Sequence, residues 1–205
     1  MTFFVISFHC SKVAGYSFAV VGATYYSFHP SPLIYFSCTV FCSGVSIGFD
    51  GPYLGPVADP QCMRESGILQ TLEKMSNFYE FPFGLYGDPA YPASPFMYKP
   101  FGGTAQVSAA QRVFNYIGAR MRVSVEWFFL DLQQYWATLC HFKLFRVHAM
   151  PIPRYMRAAV FFTNCIACHY PNRVEKYFNC APPTLYCYFA IMRLPVQPVE
   201  SYPNY

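Results

Sequence analysis

The chain has 205 residues, 54% of them hydrophobic and only 12% charged, with a formal net charge of +4. That length buries one substantial core, so one domain is the default. The 18 prolines exclude an all-helical bundle, because each removes a donor and interrupts regular elements, and so mild a charge lacks the dense Lys/Arg patches of a dedicated nucleic-acid domain.

Residues 1–49 hold no Asp or Glu and one lysine, Lys12. The apolar run Val13 to Phe28 is shorter than the ~20 residues a spanning helix needs, and Gly15, Ser17, Gly22, Thr24 and Ser27 dilute it. Met1 to Phe8 is apolar but has no basic segment before it, so it does not read as a signal peptide. Buried strands are the expectation here, with a membrane segment as the alternative.

Leu33 to Phe49 predicts two strands joined at Ser43-Gly44. Gly51-Pro52 follows. Asp59 precedes Pro60, a pairing typical of a helix N-cap and first helical position. Ile68 to Met75 reads as a short helix and Ser76 to Phe83 as a loop. Leu85-Tyr86-Gly87 is a brief strand, with Asp88 at its end in a Gly-Asp-Pro turn.

Ser108-Ala109-Ala110-Gln111 has the pattern of a capping box. Val113, Phe114, Ile117, Met121, Val125, Phe128 and Leu132 then recur at helical spacing over about six turns. Glu126 stands at the margin of that stripe. Arg122 lies four residues before it, so a surface ion pair accounts for both on local grounds. Tyr155 to Tyr170 predicts a buried helix.

The nine cysteines (Cys10, Cys38, Cys42, Cys62, Cys140, Cys165, Cys168, Cys180 and Cys187) form an odd set without a compact framework. They read mostly as free, reduced, buried thiols. Cys165-Ile166-Ala167-Cys168-His169 fits the haem-attachment string, but it ends a helix predicted to be buried. Zinc through Cys165, Cys168, Cys180 and Cys187 has an over-long second spacing. No G-x-S-x-G elbow is present to make a hydrolase triad.

Several stretches together resemble one family. These are Gly51-Pro52 through Asp59, Met63-Arg64-Glu65-Ser66-Gly67, Gly87-Asp88-Pro89-Ala90-Tyr91-Pro92, Pro100-Phe101, and Arg122-Val123-Ser124-Val125-Glu126-Trp127. Asn115, Arg120, Asn164-Cys165-Ile166-Ala167-Cys168 and Ala181-Pro182-Pro183-Thr184-Leu185 add to the pattern. It is similar to the DDE endonuclease domain of Harbinger-type transposases, in an oomycete-like branch. Two departures stand out: Ala58 replaces a histidine, and His141 in His141-Phe142-Lys143 replaces an aspartate.

The resemblance implies an α/β fold, an RNase H-like mixed sheet flanked by helices, incomplete at the N-terminus. It divides the chain into a divergent apolar segment 1–32, a DDE endonuclease-like domain 33–189 and a tail 190–205. It implies carboxylates holding two Mg²⁺ or Mn²⁺ ions for DNA phosphodiester cleavage. Asp59, Asp88 and Glu126 take the metal-binding positions, and Asp88 and Glu126 the catalytic ones. DNA is the implied substrate, a Myb-like protein a potential partner and the nucleus the location, with no membrane role.

The family's first-strand Asp, in a D-G-T turn, has no counterpart before Asp50. Counting back from the hairpin puts its slot near His9 or Cys10. Asp50 abuts Gly51-Pro52 at the wrong end of a strand and does not replace it. The expected function is therefore a transposase-like nuclease with impaired cleavage. The alternative is an inactive transposon-derived binding module.

Overall fold

A computed structural model describes residues 17–26, 34–54, 59–102, 106–140 and 151–192. His9, Cys10, Ala58, the His141-Phe142-Lys143 segment and the tail from residue 193 lie outside the described residues. The described chain is mixed α/β.

Five strands form one sheet: β1 (Ser17–Tyr26), β2 (Ile34–Val40), β3 (Ser46–Leu54), β4 (Phe83–Tyr86) and β5 (Met97–Tyr98). Their spatial order is β3-β2-β1-β4-β5. β1 runs antiparallel to β2, and β2 antiparallel to β3. β1 then runs parallel to β4, and β4 parallel to β5. The apolar stretch with no acidic residues thus supplies the central strand.

The β2–β3 connection forms at the expected Ser43-Gly44. Gly44 has φ +83°, which favours glycine, and its amide donates to the Phe41 carbonyl at 2.9 Å. The turn is also held from outside, because Asn172 Nδ2 donates to the Ser43 carbonyl at 3.0 Å.

Helices cover both faces. α1 (Asp59–Glu65) and α2 (Ile68–Tyr79) lie on one side, where Met63 and Leu72 pack with Phe83, Leu85, Tyr91 and Met97. On the other side lie α3 (Ala109–Tyr135) and α4 (Ile152–His169). There Phe36, Cys38 and Val40 of β2 meet Val125, Phe128, Leu132, Met156 and Val160. Alternation along β2 and β4 accounts for this split, since successive side chains point to opposite faces.

The capping box at Ser108 forms as read: Ser108 Oγ accepts from the Gln111 amide, and Gln111 Oε1 accepts from the Ser108 amide. α3 spans 27 residues, about 40 Å, longer than the stripe implies. Two short helices, α5 (Arg173–Phe178) and α6 (Leu185–Met192), close the described chain.

One expectation is corrected. Ser76 to Phe83 is not a loop throughout, because α2 continues to Tyr79 and ends at Glu80 with φ 49°. Ser76 stays helical while its Oγ accepts from the Phe83 amide at 3.1 Å, tying the helix end to the start of β4. Among the described residues no helix is long and apolar enough to cross a membrane. Cys38, Cys165, Cys168, Cys180 and Cys187 are free thiols, while Cys42 is disulfide-bonded.

Candidate active site

β4 delivers Asp88 to the end of the sheet next to its central strand. Gly87 comes first and is packed between Met97 and the Tyr91 ring. A Cβ added there would stand 2.7 Å from Tyr91 Cδ2, so no larger residue fits without displacing the ring. The Gly87 amide donates to the Tyr98 carbonyl at 2.9 Å, which extends the β4–β5 pairing to the edge of the turn.

Asp88 then caps its own turn. Its Oδ1 accepts from the Ala90 amide at 2.6 Å, and its carbonyl accepts from the Tyr91 amide at 3.2 Å. This bond engages one of the two carboxylate oxygens. Tyr91 is 2% exposed and packs beneath the turn.

Glu126 comes from α3. Ser124 and Val125 are buried, Trp127 sets its ring edge-on to Tyr177 at 5.3 Å, and Glu126 is exposed. At 100° per residue, Glu126 shares a flank of α3 with Asn115 and Arg122. Asn115 brackets the chain leaving β5: its Oδ1 accepts from the Phe101 amide at 2.8 Å and its Nδ2 donates to the Phe101 carbonyl at 2.7 Å. No ion pair joins Arg122 to Glu126 among the described residues, so the local explanation of that pair does not apply. The Arg122 charge acts instead on Tyr86, whose hydroxyl burial pushes up and Arg122 pulls back down.

Tyr86 sets the distance between sheet and helix. Its ring lies over Gly118, where any Cβ would overlap it. Its hydroxyl is buried with no hydrogen-bond partner among the described residues. From that contact to Glu126 is eight residues of helix, about 12 Å.

The β1–β4 ladder shows which strand borders β4. Its register runs from Ser17↔Phe83 to Val20↔Tyr86, where the ladder ends. Gly87 and Asp88 follow beyond the end of β4. The expected slot near His9 or Cys10 lies outside the described residues, whereas the strand that borders β4 carries Gly22-Ala23-Thr24 and no acid.

Asp59 opens α1, and its side chain lies outside the described residues. Asp50 pairs with Ser37 on β3. It stands three strand spacings from β4, about 14 Å, so it does not supply the missing acid. Burial raises the Asp50 carboxyl and the Arg157 charge opposes that; the Arg157 guanidinium donates to the Gly51 carbonyl at 3.0 Å.

Among the described residues, no three His, Cys, Asp or Glu side chains gather closely enough to hold a metal ion. Of the three acids expected to hold metal, Asp88 is tied into its turn, Glu126 is exposed and the Asp59 side chain lies outside the described residues. The described residues alone do not make a two-ion site. On α4, burial raises the thiols of Cys165 and Cys168, the latter to about 12, which disfavours the thiolate that binds metal.

Sequence reasoning missed the partner of Trp127 and Arg120. Tyr177 of α5 receives both: its hydroxyl accepts from Arg120 Nε at 2.8 Å, and the Arg120 guanidinium lies 4.9 Å from its ring centroid. Helical spacing places Trp127 beside Arg120 but says nothing about a residue 50 positions further on.

A mixed sheet with an acid just past a strand beside its centre, and a second acid on a long helix across one face, is consistent with a nuclease domain. The chain belongs to the DDE superfamily endonuclease family, whose sequence model matches residues 16–164. That match takes in every strand and most of α4. No curated protein and no solved structure matches the chain. Membership implies a transposase-like nuclease domain with DNA as substrate, in a superfamily that generally uses divalent metal ions.

Proposed function

We propose that the chain is a Harbinger-type DDE domain of RNase H-like fold in which divalent-metal-dependent DNA cleavage is impaired. The strand order β3-β2-β1-β4-β5, with three antiparallel strands followed by two parallel to the first, supports the fold assignment. The Gly87-Asp88 turn and the Ser124-Val125-Glu126-Trp127 helix support the subtype.

A single observation supports the impairment: the strand bordering β4, Ser17–Tyr26, has no acid along its length. Hard divalent ions need several oxygen ligands, and two ions close together need enough negative charge to offset their repulsion. On this reading Asp59, Asp88 and Glu126 are what remains of the acidic set. Asp88 and Glu126 keep the catalytic positions without the partner they require. By the same resemblance, the domain contacts DNA in the nucleus and relies on a separate Myb-like protein for target choice.

The test is nicking of supercoiled plasmid by the purified chain in Mg²⁺ or Mn²⁺. The expected result is no nicking above background, for the natural chain and for Glu126→Ala alike. Nicking by the natural chain that disappears in Glu126→Ala contradicts the impairment.

A further inference from the structure

The outer face of α3 carries a second cluster, about a third of a turn around the helix from Glu126. Tyr116 and Arg120 stand one turn apart on it, and Tyr177 of α5 lies against Arg120. We infer that Arg112, Tyr116, Arg120 and Tyr177 form a binding surface for a single strand of DNA, with the arginines on backbone phosphates and Tyr116 against a base. This rests on the proposed function above, which makes DNA the substrate.

Arg120 is held from two sides. Its Nε donates to the Tyr177 hydroxyl at 2.8 Å, and its guanidinium lies 4.9 Å from the Tyr177 ring centroid and 5.8 Å from that of Tyr116. Trp127 sets its ring edge-on to Tyr177 at 5.3 Å and steadies it in turn. A free surface arginine gives up rotamer freedom when it grips an anion, and an arginine already held gives up less. Tyr177 takes one guanidinium donor and Tyr116 another. A guanidinium has about five, so enough remain for a phosphate.

The charge around it is one-sided. Asp131 is engaged by Arg173, and Glu175 accepts from the Asn172 amide in its own capping box. Arg112, Arg120 and Lys176 are exposed, with no ion pair among the described residues. Arg112 lies eight residues before Arg120, about 12 Å along α3, so one strand can meet both. Tyr116 is 63% exposed and Tyr177 40%. Exposed rings among cations suit a single strand, because cations track the phosphates while unpaired bases stack on the rings. The bases of a duplex are already stacked on one another and do not offer their faces.

The experiment is fluorescence anisotropy without divalent metal, using labelled oligothymidylate of about 12 nucleotides, within the span one such site covers, and a duplex of the same length. Near-ultraviolet circular dichroism checks that each variant is folded. The natural chain is expected to bind the single strand more tightly than the duplex. Arg120→Ala should weaken binding about tenfold and make the salt dependence shallower by about 0.7, the value of one phosphate contact. Tyr116→Ala should weaken it at least about fivefold through loss of a stacked base. Lys74→Ala, an exposed cation on α2 across the sheet, should change nothing.

Preference for duplex, undiminished binding in folded Arg120→Ala and Tyr116→Ala, or an equal loss in Lys74→Ala overturns the inference. Should Arg120→Ala fail to fold, Arg112→Ala, at an exposed side chain, reads the same salt slope, and an unchanged slope overturns it. Plasmid nicking by the natural chain contradicts the impaired-nuclease reading, whereas binding that ignores these residues on an inert chain contradicts this inference alone.

Discussion

Tyr86 is the residue on which the approach of helix and sheet depends. Its buried hydroxyl has no hydrogen-bond partner among the described residues, and a buried unsatisfied group costs about 1–3 kcal/mol. Tyr86→Phe removes the hydroxyl and keeps the ring over Gly118. It is expected to stabilise the protein by about 1 kcal/mol in urea denaturation, and a loss of stability contradicts that account. Gly118→Ala is expected to act oppositely, because its Cβ overlaps the same ring; overpacking of this kind costs about 1–3 kcal/mol.

Asp50 gives a pH signature. Burial raises its carboxyl above the ordinary 3.8 in the folded state. The folded chain therefore holds that proton more tightly than the unfolded one, and stability falls as pH rises from about the ordinary value through the raised one. Asp50→Asn should flatten that decline and leave the acid side unchanged. An unaltered pH profile of the melting temperature contradicts it. Among single residues, the turn at Asp88 and the packing of Tyr91 beneath it were legible in the Gly-Asp-Pro turn and the Ala90-Tyr91-Pro92 that follows. The strand bordering β4 was not, because no local pattern tells which strand stands beside which.

At the scale of elements, periodicity and end signals carried most of the reading. The stripe from Val113 to Leu132 and the Ser108 box predicted α3, and both its start and its buried face formed as read. Ser108→Ala should cost about 1 kcal/mol through loss of the cap, measured as a shift in denaturation midpoint at constant slope. The end of α2 was misread because its stop is made by tertiary contact: Ser76 reaches the β4 amide, and a left-handed Glu80, not a glycine, closes the helix.

Asn164 shows the same limit from the other side. Its side chain accepts from the Ser46 amide at 2.9 Å and donates to the Ser46 carbonyl at 2.8 Å and the Tyr188 hydroxyl at 3.1 Å. The sequence marked it only as part of a helix signature, while its partner lies 118 residues earlier on the first residue of β3. Asn164→Ala leaves that backbone pair buried without its partner, and should cost at least about 1–3 kcal/mol. A change within about 0.5 kcal/mol, the range of an ordinary surface substitution, contradicts the role assigned here.

At the scale of the molecule, the prolines excluded an all-helical bundle and the family resemblance pointed to an α/β fold, and the mixed sheet with helices on both faces agrees with both. What could not be read was the place of the first fifty residues. Their lack of acidic residues is compatible with a membrane segment or with buried strands. The pairing of Ser17–Tyr26 with both β2 and β4 puts that stretch at the centre of the sheet. A strand at the centre of a sheet with helices on both faces commonly reads as a near-continuous apolar run, which resembles a short membrane segment in sequence. The same placement puts a strand without an acid beside β4.

The central claim is that this DDE-family chain cannot assemble a two-ion site. Calorimetric titration of the natural protein with Mn²⁺ tests it most directly. The account predicts no pair of tight sites, and no change in the titration on Asp88→Asn or Glu126→Gln. Two tight sites, both lost in either variant, would contradict it.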